Sequence, residues 1–292
     1  MDRFLPQCYP CALRRALCTA EKVSDDEWLQ HKVIDEAMRQ LAEVEGQLPA
    51  AEVVGELLLS VNDVLGTGDP WKEDREKWFG EMVEAMPDLR DRVLKDADPL
   101  GRALLLSARS NVFANEILSP KAMREDLLKL GLREPKHADV EFKHEDRSYF
   151  DQLLSQARRF VFIHDTAPEV PADMVLLEQI QSKHPDLEIL QMVKSSKLTM
   201  NALSEHVSAL KMESLKTQII EIEAGLGIST ENWPTEVESA MKSADLILSK
   251  GASHFQMLQG HDLPLFGLFR AKCPVTASIQ QCSIGDLLLV KI

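Results

Sequence analysis

Apolar positions along this chain change period near residue 160. Ahead of that point they recur every three or four residues, as Val33, Ile34, Ala37, Met38, Leu41 and Val44 in the run 28–45, and as Val53, Val54, Leu57, Leu58, Val61 and Leu65 in the run 50–65. Such spacing predicts amphipathic helices with one buried stripe. Ser24-Asp25-Asp26-Glu27 supplies an N-cap and an acidic first turn for the first, Gly46 ends it, and Gly66-Thr67-Gly68 ends the second. Asp69-Pro70 opens a third helix carrying Trp71, Trp78, Phe79, Met82 and Val83. Pro87, Asp98-Pro99 and Gly101 then divide the next stretch into a short helix and a further one over 102–113. Residues 1–118 are expected to form a helical bundle.

From Phe160 the apolar residues run in short continuous blocks: Phe160 to Ile163, Leu187 to Val193, Ile219 to Ile222, Ala244 to Leu248, Leu265 to Phe269 and Leu287 to Val290. Helical segments, clearest over 174–183, 202–212 and 235–243, separate most of them. The alternation predicts an α/β class: a mainly parallel, Rossmann-like sheet over 159–292 with helices on both faces, preceded by the bundle. Residues 119–158 are charged and weakly patterned, and read as a helical and loop connection whose His137 and His144 are exposed histidines rather than ligands.

Composition narrows the function. The chain of 292 residues is long enough for one large domain or two ordinary ones. A formal charge of −14 argues against sequence-independent nucleic-acid binding, which needs a basic face. No apolar run approaches membrane-spanning length and the N-terminus lacks a basic region followed by an apolar stretch, so the expectation is a soluble, cytoplasmic protein with no membrane partner. Five cysteines at irregular spacing disfavour a disulfide framework. Cys8, Cys11 and Cys18 stand three and seven residues apart, and a single CxxC leaves metal binding, redox chemistry and plain burial open.

Open α/β sheets place ligands beyond the carboxyl ends of their strands. Four segments stand there: His164-Asp165-Thr166-Ala167-Pro168-Glu169, Lys197-Leu198-Thr199-Met200-Asn201, Ser249 to Gln256, and Arg270-Ala271-Lys272-Cys273. In the first, two prolines are expected to hold the next helix back to about Met174. Together with Ser110-Asn111 these segments offer oxygen ligands for a hard divalent cation and lysines for an anion, which is equipment for handling a phosphate ester. Neither GxGxxG nor GxxxxGK[ST] stands at the first strand-to-helix turn, so the standard dinucleotide and P-loop fingerprints are missing.

The same segments resemble the metal-dependent damage-control phosphatases, a family long classed as a domain of unknown function. The resemblance runs from the CxxC at Cys8 and Cys11, through Asn111 after the bundle and the Asp165 to Glu169 loop, to Lys250-Gly251 and the late Ala271-Lys272-Cys273. It implies a divalent-metal-dependent phosphohydrolase acting on a small phosphorylated metabolite, such as a sugar phosphate. Asp165, Thr166 and Asn201 would hold the cation, with manganese, nickel, cobalt or magnesium expected and zinc or iron as further options. Lys250 and Lys272 would neutralise the phosphoryl oxygens, Glu169 would position or deprotonate water, and Asn111, Gly251 and His254 would contact substrate. The early and late cysteines belong to one branch of the family, which implies a second site of Cys8, Cys11 and Cys273 where the bundle meets the sheet.

The chain also departs from the family pattern. Asp-Asn-Ala-Gly-Glu is here Asp165-Thr166-Ala167-Pro168-Glu169, the second metal-binding Asp is Asn201, and His254 and Gln256 replace an Asn and a Glu; Ala114 stands near a position that is often acidic. One carboxylate holds a divalent cation more weakly than two. Pro168 fixes φ where Gly is unrestrained. His254 has three readings: a ligand for a borderline metal, a proton-transfer group, or a histidine satisfied by hydrogen bonds. These changes keep an alternative open, a catalytically impaired or repurposed member that binds a metabolite or a protein.

Overall fold

The computed structural model describes residues 3–44, 46–111, 124–125, 141–210, 215–223, 225–228 and 233–292. Five helices come first: α1 (Cys8–Val23), α2 (Glu27–Ala42), α3 (Ala50–Leu65), α4 (Lys72–Leu94) and α5 (Pro99–Ser110). Their ends follow from capping chemistry. The Asp26 carboxylate accepts the Trp28 amide at 3.0 Å at the start of α2, and Asp98 accepts the Gly101 amide at 3.0 Å at the start of α5. Gly66, with φ of 67°, closes α3 in a left-handed turn. Ala12, Ala16 and Ala20 form a fully buried small-residue stripe on α1, and α2 and α3 pack close against that helix.

The rest alternates strand and helix: β1 (Phe142–Glu145), α6 (Arg147–Gln156), β2 (Arg159–Ile163), α7 (Val170–Lys183), β3 (Glu188–Lys194), α8 (Ser204–Ala209), β4 (Thr217–Ile222), α9 (Thr235–Ser243), β5 (Leu246–Lys250), α10 (Ala252–Leu258), β6 (Leu265–Arg270), α11 (Pro274–Ile279) and β7 (Leu287–Lys291). Among the described residues the strands form one seven-stranded sheet of order β1-β7-β6-β5-β2-β3-β4. All neighbours are parallel except β6 and β7. Every residue of β5 and all but the first of β2 are buried, as a sheet covered on both faces requires. The chain winds outward from β2 through β3 to β4 on one side, then returns to β5 and β6 on the other. The strand order therefore reverses between β2 and β5, and the crevice beyond their carboxyl ends is where such sheets bind ligands.

One core joins α4 and α5 to α7 and the sheet through Trp78, Met82, Leu104, Phe162, Leu176 and Leu248. A second joins α1 to α3 with Leu198, Leu226, Met257 and Val275, which come from the loops and short helices that follow the strands. The bundle is thus packed directly over the crevice.

Three expectations change. The charged connection contributes β1, an edge strand beside β7, and α6; His144 Nε2 donates to the Gln280 carbonyl at 2.7 Å, while His137 and Ala114 lie outside the described residues. The prolines after β2 do not delay the helix: a short 3₁₀ turn, Ala167–Glu169, leads straight into α7, with Pro168 and Pro171 at first-turn positions where no amide is needed. Pro87 does not divide α4, which runs through it for 23 residues. Its ring removes one helical hydrogen bond on an exposed face. Replacing Pro87 with Ala should therefore raise stability by about 1 to 3 kcal/mol, read as a higher urea midpoint at unchanged slope. A midpoint that stays put or falls would mean that the helix is built around the proline.

Candidate active site

Two loops build the floor of the crevice. After β2 the chain extends through His164 to Thr166, and after β3 the loop 195–203 doubles back beside it. Thr166 and Asn201 form an isolated antiparallel bridge, the Ala167 amide donates to the Met200 carbonyl at 2.7 Å, and the Ala202 amide donates to the Asp165 carbonyl at 3.1 Å. Residues 165, 166 and 201 are brought together as expected. Pro168 is not among the residues of positive φ and stands at the start of the turn, a position that suits proline.

Both oxygens of the Asp165 carboxylate are engaged. Oδ1 receives the Lys194 ammonium at 3.0 Å and Oδ2 receives the Asn111 amide at 3.1 Å. Burial works against the charge on Asp165, but Lys194, with Lys272 behind it, holds its carboxyl well below the usual carboxylate range. Gly251, with φ of 85°, lies against the same carboxylate, and a Cβ there would collide with it. Lys194 also donates to the Leu226 carbonyl at 2.7 Å and reaches the Asn201 Oδ1 at 3.4 Å.

Beneath this floor is a second, fully buried network. Lys250 donates to Glu169 at 2.9 Å, to Asp173 at 2.8 Å and to the Ser107 carbonyl at 2.6 Å. Burial opposes its charge, yet Asp173 and Glu169 more than compensate and raise its pKa. Asn111 donates to both Glu169 oxygens, at 2.9 and 3.0 Å, and Thr166 Oγ1 donates to Glu169 Oε1 at 2.6 Å. Desolvation, reinforced by Asp165 and Asp173, raises the Glu169 pKa despite Lys250.

The floor opens into a cavity of about 440 Å³ walled by α1, α3 and the loops after β2, β3, β5 and β6. Of the expected site residues, Asp165, Thr166, Lys272, Cys8, Cys11 and Cys273 line it; Lys194, Arg14 and Arg15 join them without having been anticipated. Asn111, Glu169, Lys250, Gly251, Asn201 and His254 are not in the lining. Asn111, Gly251 and His254, expected as substrate contacts, all stand outside it. Asn111 braces the two carboxylates, and His254 accepts the Ile228 amide at Nδ1 (3.0 Å) while Nε2 donates to the His164 carbonyl (3.2 Å). Burial, with Lys194 nearby, lowers the His254 pKa to about 3, so the ring is neutral and both nitrogens serve backbone groups. Lys250 likewise lies under the floor, outside the lining, bound to Glu169, Asp173 and Ser107. Cys8, Cys11 and Cys273 share the cavity wall but do not form a compact ligand cluster among the described residues.

A family model for the damage-control phosphatase ARMT1-like domain matches residues 4–288. The chain belongs to the damage-control phosphatase family. A damage-control phosphatase of Archaeoglobus fulgidus is 26% identical over 288 residues, which cover 97% of this chain and 96% of that protein. An uncharacterized protein of Methanocaldococcus jannaschii is 24% identical, covering 98% and 94%. A solved DUF89 family protein from Pyrococcus horikoshii superposes with a TM-score of 0.84 at 21% identity, over 100% of this chain and 99% of that one, and shares the fold.

Damage-control phosphatases are generally metal-dependent, and in this member the donor set does not fit a divalent cation. Asp165 is the single carboxylate of the three expected ligands, and Lys194 already lies on its Oδ1. Asn201 Oδ1 accepts from Thr199 Oγ1 at 3.0 Å, and the Thr166 proton is directed to Glu169. Elsewhere among the described residues, Glu76, Glu205 and His206 form a compact acidic and histidine group. His206 Nδ1 accepts the Leu203 amide at 3.0 Å, which leaves the proton on Nε2, facing Glu76 at 3.3 Å. Its Nδ1 lone pair is thereby engaged by the backbone, and the exposed carboxylates of Glu76 and Glu205 are the donors this group leaves open to an ion.

Two stability effects arise from this arrangement. Lys250→Met strips the counter-charge from Glu169 and Asp173 and should cost about 3 to 5 kcal/mol, measured by denaturant unfolding; a loss of under about 1 kcal/mol would remove Lys250 from the supporting network. His254 stays unprotonated in the folded chain from its ordinary value of 6.5 down to about 3, whereas the unfolded chain takes up a proton in that window. Stability should therefore fall as pH drops below 6.5, and His254→Gln should flatten that slope between neutral and mildly acidic pH. An unchanged slope in the variant would contradict the assignment.

Proposed function

We propose that this chain is a phosphohydrolase of small phosphate monoesters and that the cavity over Asp165 is its active site. The observation that carries this reading is the lining itself. A deprotonated carboxylate, Asp165, faces the cavity together with four basic side chains, Lys194, Lys272, Arg14 and Arg15. This balance suits an anionic phosphoryl group, and the volume of about 440 Å³ suits a small metabolite. Val54, Leu58, Trp71, Met200 and Val275 add apolar surface to the lining. An apolar portion of the substrate, or the C–H face of a sugar ring, would pack on it.

Residue roles follow from position. Lys272, Arg14 and Arg15 draw the phosphoryl oxygens to the floor, and Asp165 fixes Lys194 and the turn after β5. Its depressed pKa makes Asp165 a poor base. Glu169 is the better one, because desolvation has raised its pKa, and it reaches the cavity only through Thr166. A water held at the Thr166 hydroxyl can attack phosphorus while its proton passes to Thr166 Oγ1 and the hydroxyl proton passes to Glu169; the ester P–O bond breaks on the opposite side, and the leaving alkoxide takes a proton from Lys272, which lines the cavity and whose pKa burial lowers. The metal-binding residues of the family are replaced in part, and none of these steps runs through an ion.

Release of inorganic phosphate from a panel of aryl and sugar phosphates, with and without added divalent metals, tests the reading. Thr166→Val should lower kcat by about a hundredfold or more, within the range of general-base catalysis, while Thr166→Ser keeps most of it. Equal losses in the two variants would sink the relay. Failure of every ester to react while the chain still binds phosphate would favour the metabolite-binding alternative.

A further inference from the structure

We propose that the Lys194 ammonium takes over the charge of the divalent cation at this site, so that the cavity binds the phosphoryl group of its ligand without a metal ion. The inference rests on the phosphate-ester reading of the cavity and goes beyond it.

Three oxygens surround the Lys194 Nζ: Asp165 Oδ1 at 3.0 Å, the Leu226 carbonyl at 2.7 Å and Asn201 Oδ1 at 3.4 Å. Two come from positions where the family places metal ligands, so the ammonium occupies the ground between them. The arrangement is held from outside as well. Asn201 Nδ2 donates to the Ser196 carbonyl at 2.9 Å and to its hydroxyl at 3.1 Å, which turns Oδ1 towards Lys194. An Asp at 201 could not make those two donations, so the Asn is matched to the lysine. Lys194 is 1% exposed, and Asp165 is the carboxylate beside it, so the pair is close to neutral within a protein interior. A divalent ion brought to Asp165 would meet that ammonium and then Lys272, with Asp165 the one carboxylate among the expected ligands and the neighbouring Glu169 already paired with Lys250. A phosphoryl group meets the reverse situation. Both lysines line the cavity, and the long contact to Asn201 is the one a phosphoryl oxygen would displace from Lys194.

Calorimetric titration of inorganic phosphate into the EDTA-treated full chain, without and then with manganese, reads the proposal directly. The expected result is binding to the metal-free protein, with Kd altered by no more than about threefold when manganese is added, and a loss of roughly tenfold or more in Lys194→Met. Phosphate binding that depends on manganese would overturn it. Because Lys194→Met leaves Asp165 uncompensated and threatens folding, Asn201→Asp is the second variant. It keeps Lys194 and adds the missing carboxylate, and should bind manganese about tenfold or more tighter than the wild type. Equal manganese affinity in the two proteins would show that the present donors already hold the ion, and would also overturn the proposal. The two readings fail separately. Hydrolysis that needs manganese sinks the role of Lys194 and leaves the phosphohydrolase standing, whereas metal-free phosphate binding with no hydrolysis of any ester sinks the phosphohydrolase alone.

Discussion

A buried carboxylate has to find its counter-charge inside the protein, and Asp165 finds it in Lys194. That contact at 3.0 Å ties the end of β2 to the end of β3, and everything around it is arranged to keep both partners in place. Asn111 holds the second carboxylate oxygen from the end of α5, and the turn at Gly251 leaves room for it at the end of β5. Below, Lys250 links β5 to Asp173 and Glu169 in the same helical layer. Breaking such pairs one partner at a time leaves a charge with no water to receive it, which is why they hold geometry more effectively than they add stability.

The helical half completes the site. α1 and α3 roof the crevice, bringing Arg14, Arg15 and an apolar wall over a floor made by sheet loops. Arg75 of α4 fastens the two halves, since its guanidinium grips Asp69 at 2.7 and 2.8 Å and reaches the Thr199 carbonyl in the loop that carries Asn201. Neither half encloses a cavity alone. A ligand with a phosphoryl group at the floor and an apolar part under the roof would use both.

Much of this was legible in the sequence. The change of apolar period near residue 160 separated helices from strands, and the strand-end rule pointed to the segments that hold Asp165, Thr166 and Asn201, which the resemblance singled out and the short bridge between 166 and 201 brings together. The resemblance identified the family, while the departures at 166, 201 and 254 marked where this member differs. Other parts were not legible. Lys194 ends an apolar strand, and a strand-end lysine ordinarily turns to water; its inward turn depends on the Leu226 carbonyl, 32 residues further on. Lys250 was read as meeting phosphate because its partners, Ser107 and Asp173, lie 143 and 77 residues away and carry no local signal. β1 was hidden because a four-residue edge strand alternating between half-buried and exposed positions looks like a charged loop. His254 depended on two backbone groups that only the fold supplies.

If the cavity over Asp165 takes a phosphoryl group, as proposed above, the nature of the cation between Asp165 and Asn201, ammonium or metal, decides how it does so. A crystal structure grown with manganese and inorganic phosphate, with anomalous data collected at the manganese edge, tests that point most directly. The expected result is phosphate on the cavity floor near Lys194 and Lys272, with no anomalous peak between Asp165 and Asn201. A manganese peak there, with Lys194 swung away, would contradict the role given to the lysine.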